Sequence, residues 1–124
     1  VSPPCAAMKI DIKEYLTKHG VVICEISDLR LVANEVDVIY QTRTQKERGT
    51  SFDRNDRNLG YFVVDESILS LMRSDAIIMH PLPRVDEISI EVDKDPRAVY
   101  LTDQVRSGLH SRMALLKMII APKT

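Results

Sequence analysis

A leucine held between two prolines leaves the backbone little freedom, and in this chain such a turn closes a short, strongly apolar run. Ala76-Ile77-Ile78-Met79 leads directly into His80-Pro81-Leu82-Pro83-Arg84. The run does not alternate, so it reads as a strand buried on both faces in a parallel sheet. Each proline removes a backbone donor and restricts the residue before it, so the strand must stop at His80. A stiff turn then stands at the carboxyl end of a parallel strand, where open α/β sheets bind ligands. A rigid turn with no chemistry is the plain alternative, and the hexapeptide alone does not separate the two.

The rest of the chain alternates helix with strand. Met8, Ile12, Tyr15 and Leu16 share one helical face, and Gly20 is a natural stop. Val21 to Cys24 reads as a buried strand, Ser27-Asp28 as the N-cap of a short helix through Ala33, and Val36 to Tyr40 as the next strand. Asp65 can cap a helix that buries Ile68, Leu69, Leu71 and Met72. Ala98 to Leu101 reads as a last short strand. Thr102 or Asp103 then caps a long amphipathic helix with Val105, Leu109, Met113, Leu116 and Ile120 on one face, ended by Pro122. This order predicts an α/β fold: a three-layer Rossmann-like domain with a parallel sheet flanked by helices. The 124 residues suffice for one domain with a core.

Composition excludes some classes. The 17 basic residues nearly balance the 18 acidic ones, so no global charge draws the chain to nucleic acid or to a membrane surface. No apolar run approaches the ~20 residues of a membrane span. Val1-Ser2-Pro3-Pro4 has neither a basic region nor an apolar one of the export type. Cys5 and Cys24 form no CxxC pair, and free thiols suit a reducing compartment, so the expected location is cytoplasmic. His19, His80 and His110 lack metal-ligand spacing, so no metal is expected.

Thr42 to Gly60 is the most polar stretch, with Arg43, Lys46, Arg48, Arg54 and Arg57 set among Glu47, Asp53 and Asp56. A connection this long is a solvated loop or a functional one. The sharper reading places a binding loop at the carboxyl end of the Val36 strand, on the same sheet edge as His80 to Arg84. Arg43 can hold a carboxylate through two parallel charge-assisted hydrogen bonds. Gln45 can both donate and accept, and the Leu82 carbonyl is held in a fixed direction. Together they suit a small dicarboxylate whose amine points at the turn. Nucleic-acid binding by the same loop is disfavoured by its interleaved acids and its single aromatic, Phe52.

Three blocks then add to this reading: Tyr40-Gln41-Thr42-Arg43-Thr44-Gln45-Lys46-Glu47-Arg48; Met79 to Ile88 with Glu91-Val92-Asp93 and Asp95-Pro96-Arg97-Ala98; and Gly108 with Arg112-Met113-Ala114-Leu115-Leu116. In this order they closely resemble the C-terminal half of the aspartate carbamoyltransferase family, over nearly the whole chain. The resemblance implies an L-aspartate-binding domain over 1–101, truncated at its start. It also implies a C-terminal helix over 102–124 that packs back on a missing carbamoyl-phosphate domain.

By the same resemblance Arg43 and Gln45 bind L-aspartate, with Glu47, Arg48 and Arg84 as orienting partners. Pro81, Leu82 and Pro83 serve the carbamoyl phosphate side, Leu82 is the catalytic position, and the Leu82–Pro83 bond is cis. The implied reaction is carbamoyl transfer from carbamoyl phosphate to the amine of L-aspartate in pyrimidine biosynthesis, in a homotrimer, without a cofactor. His80 reads either as a general base or, preferably, as a residue that closes the strand and packs the loop. The sister family, ornithine carbamoyltransferase, carries cysteine where Pro81 stands, and Arg43 would repel an ornithine side chain, so aspartate is favoured. A non-catalytic assembly module is the other alternative. The family's phosphate-binding Ser-x-Arg-Thr loop is not present, so these residues are expected to hold half a site and to be inactive alone. Gly49 replaces a bulky residue, and the spacing from Tyr100 to Gln104 is one residue longer than the family pattern.

Overall fold

Two parallel strands give the fold its frame. The computed structural model describes residues 1–3, 7–43 and 62–121. Strand β1, Val38–Tyr40, pairs with β2, Ile77–Met79, and sets Val38, Ile39 and Tyr40 opposite Ile77, Ile78 and Met79. Parallel strands need a crossover, and this one carries helix α2, Glu66–Leu71. Helix α1, Ile10–Lys18, precedes the sheet, and α3, Asp103–Ile120, follows it. Ile78 donates its N–H to the Arg97 carbonyl at 2.7 Å, which forms a parallel bridge to Ala98 on the far side of β2. Val64 and Ile88 form a second parallel bridge. This is the α/β Rossmann-like arrangement that the sequence predicts, a parallel sheet with flanking helices.

The core gathers Ile39, Val64, Ile68, Ile78, Val92 and Tyr100. Packing is one-sided at β1: Ile39 is buried while Val38 and Tyr40 are exposed. Burial on both faces is the expectation for the Ala76–Met79 run, and in β2 Ile78 is buried whereas Ile77 and Met79 are only half-buried. None of the residues of α1 is buried. Its apolar side is present as predicted, but only Leu16 is half-buried there. The helix is held instead by Glu25, which accepts the Met8 N–H at 2.8 Å and pairs with Lys13. Gly20 ends it at φ 73°, a conformation that costs glycine little.

Caps form where the sequence places them. Asp65 Oδ1 accepts the N–H groups of Ser67 and Ile68 at 2.9 and 3.1 Å. Asp28 Oδ1 accepts the Arg30 N–H at 3.0 Å, but the segment it opens is a single 3-10 turn, Leu29–Leu31, rather than a helix. Two expected strands do not form. Val21 to Cys24 is irregular and Val22 is 95% exposed, because no described strand offers it a ladder. Of Ala98 to Leu101 only Ala98 bridges, and Val99–Leu101 winds into a 3-10 turn that buries Tyr100 completely. α3 starts at Asp103 after Thr102, whose side chain makes no capping bond.

Candidate functional site

Adjacent parallel strands send their following segments off the same sheet edge. Beyond β1 stand Thr42 and Arg43, and beyond β2 stand His80, Pro81, Leu82 and Pro83. These six line one open cleft of about 430 Å³. The structure therefore brings Arg43 together with Pro81, Leu82 and Pro83, as the sequence suggests. Gln41 ties the two sides at their base: its N–H donates to the Met79 carbonyl at 3.0 Å and its side-chain amide to the Phe62 carbonyl at 2.9 Å. Gln45, Glu47 and Arg48 lie outside the described residues.

The turn is held from behind. The Leu82–Pro83 bond is cis, and Leu82 adopts φ 48°, a left-handed value uncommon for a residue with a side chain. Its N–H donates to His80 Nδ1 at 2.8 Å. A ring nitrogen that accepts carries no proton, so the His80 proton sits on Nε2, which donates to Glu87 Oε1 at 2.7 Å. Glu87 Oε2 also accepts the N–H groups of Val85 and Asp86 at 3.2 and 3.1 Å, so one carboxylate gathers the exit of the turn. His80 is 1% exposed and both of its ring nitrogens are engaged. That is the strand-closing role preferred over a general base.

His80 is fixed through its backbone as well. Gln104, in the first turn of α3, accepts the His80 N–H on Oε1 at 3.0 Å and donates from Nε2 to the His80 carbonyl at 2.8 Å. The amide thus extends the pairing of β2 by one residue. Sequence reasoning did not find Glu87 or Gln104 as parts of this site. Glu87 stands within the resembling block, seven residues from His80, whereas Gln104 is 24 residues away and carries no local signal.

Arg84 faces away from the cleft. Its Nη1 and Nη2 donate to the two Asp93 carboxylate oxygens at 2.5 and 2.6 Å, and Nη1 also donates to the Tyr100 hydroxyl at 3.2 Å. That hydroxyl in turn donates to Asp93 Oδ1 at 2.5 Å. Burial pushes the Tyr100 phenol up to about 12, helped by the Asp93 charge. Burial works to raise Asp93 too, but the bonds from Tyr100 and Arg84 outweigh it and hold the carboxyl below its ordinary value. The bond to Asp93 raises the Arg84 guanidinium further. The triad anchors the end of the turn to the Ile90–Lys94 and Val99–Leu101 segments. No group of three or more His, Cys, Asp or Glu among the described residues could hold a metal ion. Likewise, no described helix is long and apolar enough to cross a membrane.

A parallel α/β sheet with a small-molecule cleft at the carboxyl ends of adjacent strands defines a Rossmann-like ligand-binding domain. The family model described as aspartate/ornithine carbamoyltransferase, Asp/Orn binding domain, matches residues 3–119, and the chain belongs to that family. It is 54% identical over 121 residues to the chloroplastic aspartate carbamoyltransferase of Oryza sativa subsp. japonica, covering 97% of this chain and 33% of that protein. It is 41% identical over 120 residues to the aspartate carbamoyltransferase catalytic subunit of Thermofilum pendens, covering 97% of this chain and 38% of that one. Among solved structures, aspartate transcarbamoylase from Trypanosoma cruzi in complex with N-(phosphonacetyl)-L-aspartic acid superposes with a TM-score of 0.82. That match has 37% identity and covers 94% of this chain and 38% of the other. The chain spans about a third of the length of the curated relatives it matches first.

One expectation is overturned. The relatives from Oryza sativa and Pisum sativum are named chloroplastic, against the cytoplasmic location read from the cysteines. Free thiols report a reducing environment and carry no address within the cell. Among the described residues Cys24 is free and exposed, and that fact is neutral between compartments.

Proposed function

We propose that the chain supplies the aspartate-binding half of an aspartate carbamoyltransferase site. The amine nitrogen of L-aspartate bonds to the carbamoyl carbon of carbamoyl phosphate, the bond from that carbon to the phosphate oxygen breaks, and the amine's proton leaves with phosphate. The products are N-carbamoyl-L-aspartate and phosphate, and the reaction serves pyrimidine biosynthesis. One observation carries the reading: Arg43 and the Pro81-Leu82-Pro83 turn line the same cleft at adjacent strand ends. A guanidinium there suits a dicarboxylate and opposes the ammonium of ornithine.

In this reading Arg43 and Gln45 hold the aspartate carboxylates, and Glu47 and Arg48 orient Arg43. The Leu82 carbonyl accepts a hydrogen bond from the reacting amine. Pro81 and Pro83 fix that carbonyl, and Arg84 anchors the turn through Asp93 and Tyr100. Catalysis rests on positioning and charge placement. The carbamoyl phosphate half comes from a separate domain, on which 102–124 packs, in a homotrimer. The exposure of Leu109, Met113, Leu116 and Ile120 along one side of α3 supports such a covering.

The test is titration of the chain with N-(phosphonacetyl)-L-aspartate, alone and mixed with the separately made remainder of the Oryza sativa relative. Tight binding and turnover in the mixture alone are expected, with a trimer in sedimentation. No binding in either case, with Arg43 intact, refutes the reading and leaves a non-catalytic assembly module.

A further inference from the structure

We propose that Gln104 is a positioning residue for the cleft, acting on Leu82 through His80. The inference rests on the proposed function for its catalytic consequence and on geometry alone for the rest.

The chain of contacts is short. Leu82 lines the cleft with its backbone at φ 48°, and the direction of its carbonyl follows from that backbone conformation. Among the described contacts, the bond that fixes the Leu82 N–H is the one to His80 Nδ1 at 2.8 Å. That nitrogen is in place only if the imidazole is, and the ring is held at Nε2 by Glu87. Its attachment to the chain is held by Gln104, which takes both His80 backbone groups. A side-chain amide that donates and accepts at one residue imitates a neighbouring strand. It keeps β2 extended through His80, so that the reversal begins at Pro81. Without it, the N–H and carbonyl of a residue 1% exposed would lose their partners, a state that folded chains avoid. His80 would shift to recover them, and the Leu82 N–H would lose its acceptor.

The reach of this device is what the site itself does not contain. Gln104 belongs to α3, whose outer side carries the exposed Leu109, Met113 and Leu116. Whatever seats α3 therefore also sets Leu82, and the cleft's backbone geometry is coupled to a helix that does not line it.

The experiment compares wild type with Gln104→Met, which keeps length and loses both bonds, and Gln104→Glu, which keeps the acceptor for the His80 N–H but cannot donate to its carbonyl. Amide hydrogen exchange of the full 124-residue chain is read at Leu82 and at Ile78, the latter a core reporter bonded to Arg97. The expected result is Leu82 exchange about tenfold faster in Gln104→Met with Ile78 unchanged, and a smaller effect in Gln104→Glu. Equal acceleration at both amides in both variants, or none at Leu82, overturns the proposal, because a purely structural Gln104 would act on the whole core.

In the reconstituted mixture Gln104→Met is expected to lower kcat about tenfold while KM for aspartate stays within about threefold, since a misaimed carbonyl costs alignment rather than binding. An unchanged kcat overturns the catalytic consequence. Should the wild-type mixture show no turnover, the functional reading fails by that result, and Leu82 exchange still decides the positioning role.

Discussion

Replacing Tyr100 with Phe removes one hydroxyl from behind the turn and leaves the rest in place. The ring is fully buried, edge-on to His80 with centroids 6.4 Å apart, and phenylalanine fills the same space. The hydroxyl donates to Asp93 at 2.5 Å and accepts from Arg84 at 3.2 Å. A hydrogen bond to a charged group contributes about 1.5–3 kcal/mol. Asp93 keeps both bonds from Arg84, so the low end applies, and the variant should lose about 1.5 kcal/mol at pH 8. The pH dependence sharpens the test. The phenol stands at about 12 in the folded chain against an ordinary 10.0. A raised value means that the folded state favours the neutral phenol. Its contribution is present below pH 10 and is lost as pH rises from 10 towards 12. At about 1.4 kcal/mol for each unit, roughly half of the full loss should have occurred by pH 11. Urea denaturation at pH 8 and pH 11 should therefore show wild type falling more than the variant, by on the order of 1 kcal/mol. Parallel losses in the two proteins would refute the burial of a coupled phenol at this position.

Other outcomes follow from the same geometry. Asp65→Ala should cost about 1 kcal/mol in urea denaturation by removing the cap of α2, and Asp65→Asn much less. The bond from the Ser67 side chain leads the causes that hold the Asp65 carboxyl below 3.8, so the cap's charged contribution is present above that pH and fades as pH falls further. Glu87→Ala leaves the His80 Nε2–H unpaired at a buried site and should cost about 2–3 kcal/mol, read by the same denaturation. Arg43→Ala should weaken binding of N-(phosphonacetyl)-L-aspartate to the reconstituted mixture at least about tenfold in calorimetry.

What the sequence disclosed was whatever short-range rules decide. Pro81 and Pro83 announce a stop and a stiff turn, Asp65 announces a cap, and Gly20 a helix end, because each acts on neighbours within a few residues. The paired edges of β1 and β2 were legible for a related reason: two apolar runs separated by a helix leave parallel pairing as the ordinary outcome. Strand identity at Val21 to Cys24 was not legible, since a strand exists only with a partner. Ala98 to Leu101 misled in the same way, and there the burial of Tyr100 beside Asp93 and Arg84 favours a turn. The location failed for a different reason, because thiol chemistry constrains redox state alone. Of the site, Arg43 and the proline turn were visible as residue types in an informative order. Gln104 was not, because glutamine at a helix start is ordinary and its target lies 24 residues back.

The arrangement of His80 also bears on where the proton of the proposed reaction goes. An imidazole beside a cleft invites the role of base, but a base needs a free nitrogen within reach of the proton. Here Nδ1 already receives Leu82 and Nε2 already donates to Glu87. To take a proton at Nδ1, His80 would have to release the backbone that holds the Leu82 carbonyl, dismantling the positioning that the proposed reaction needs. The side chains that the described cleft offers a substrate are then the Arg43 cation and the Thr42 hydroxyl, beside the backbone of the turn. Such a set binds, aims and stabilises charge without moving a proton. In the proposed transfer the departing phosphate is itself a competent proton acceptor, so the buried His80 can serve geometry without a second role in moving the proton.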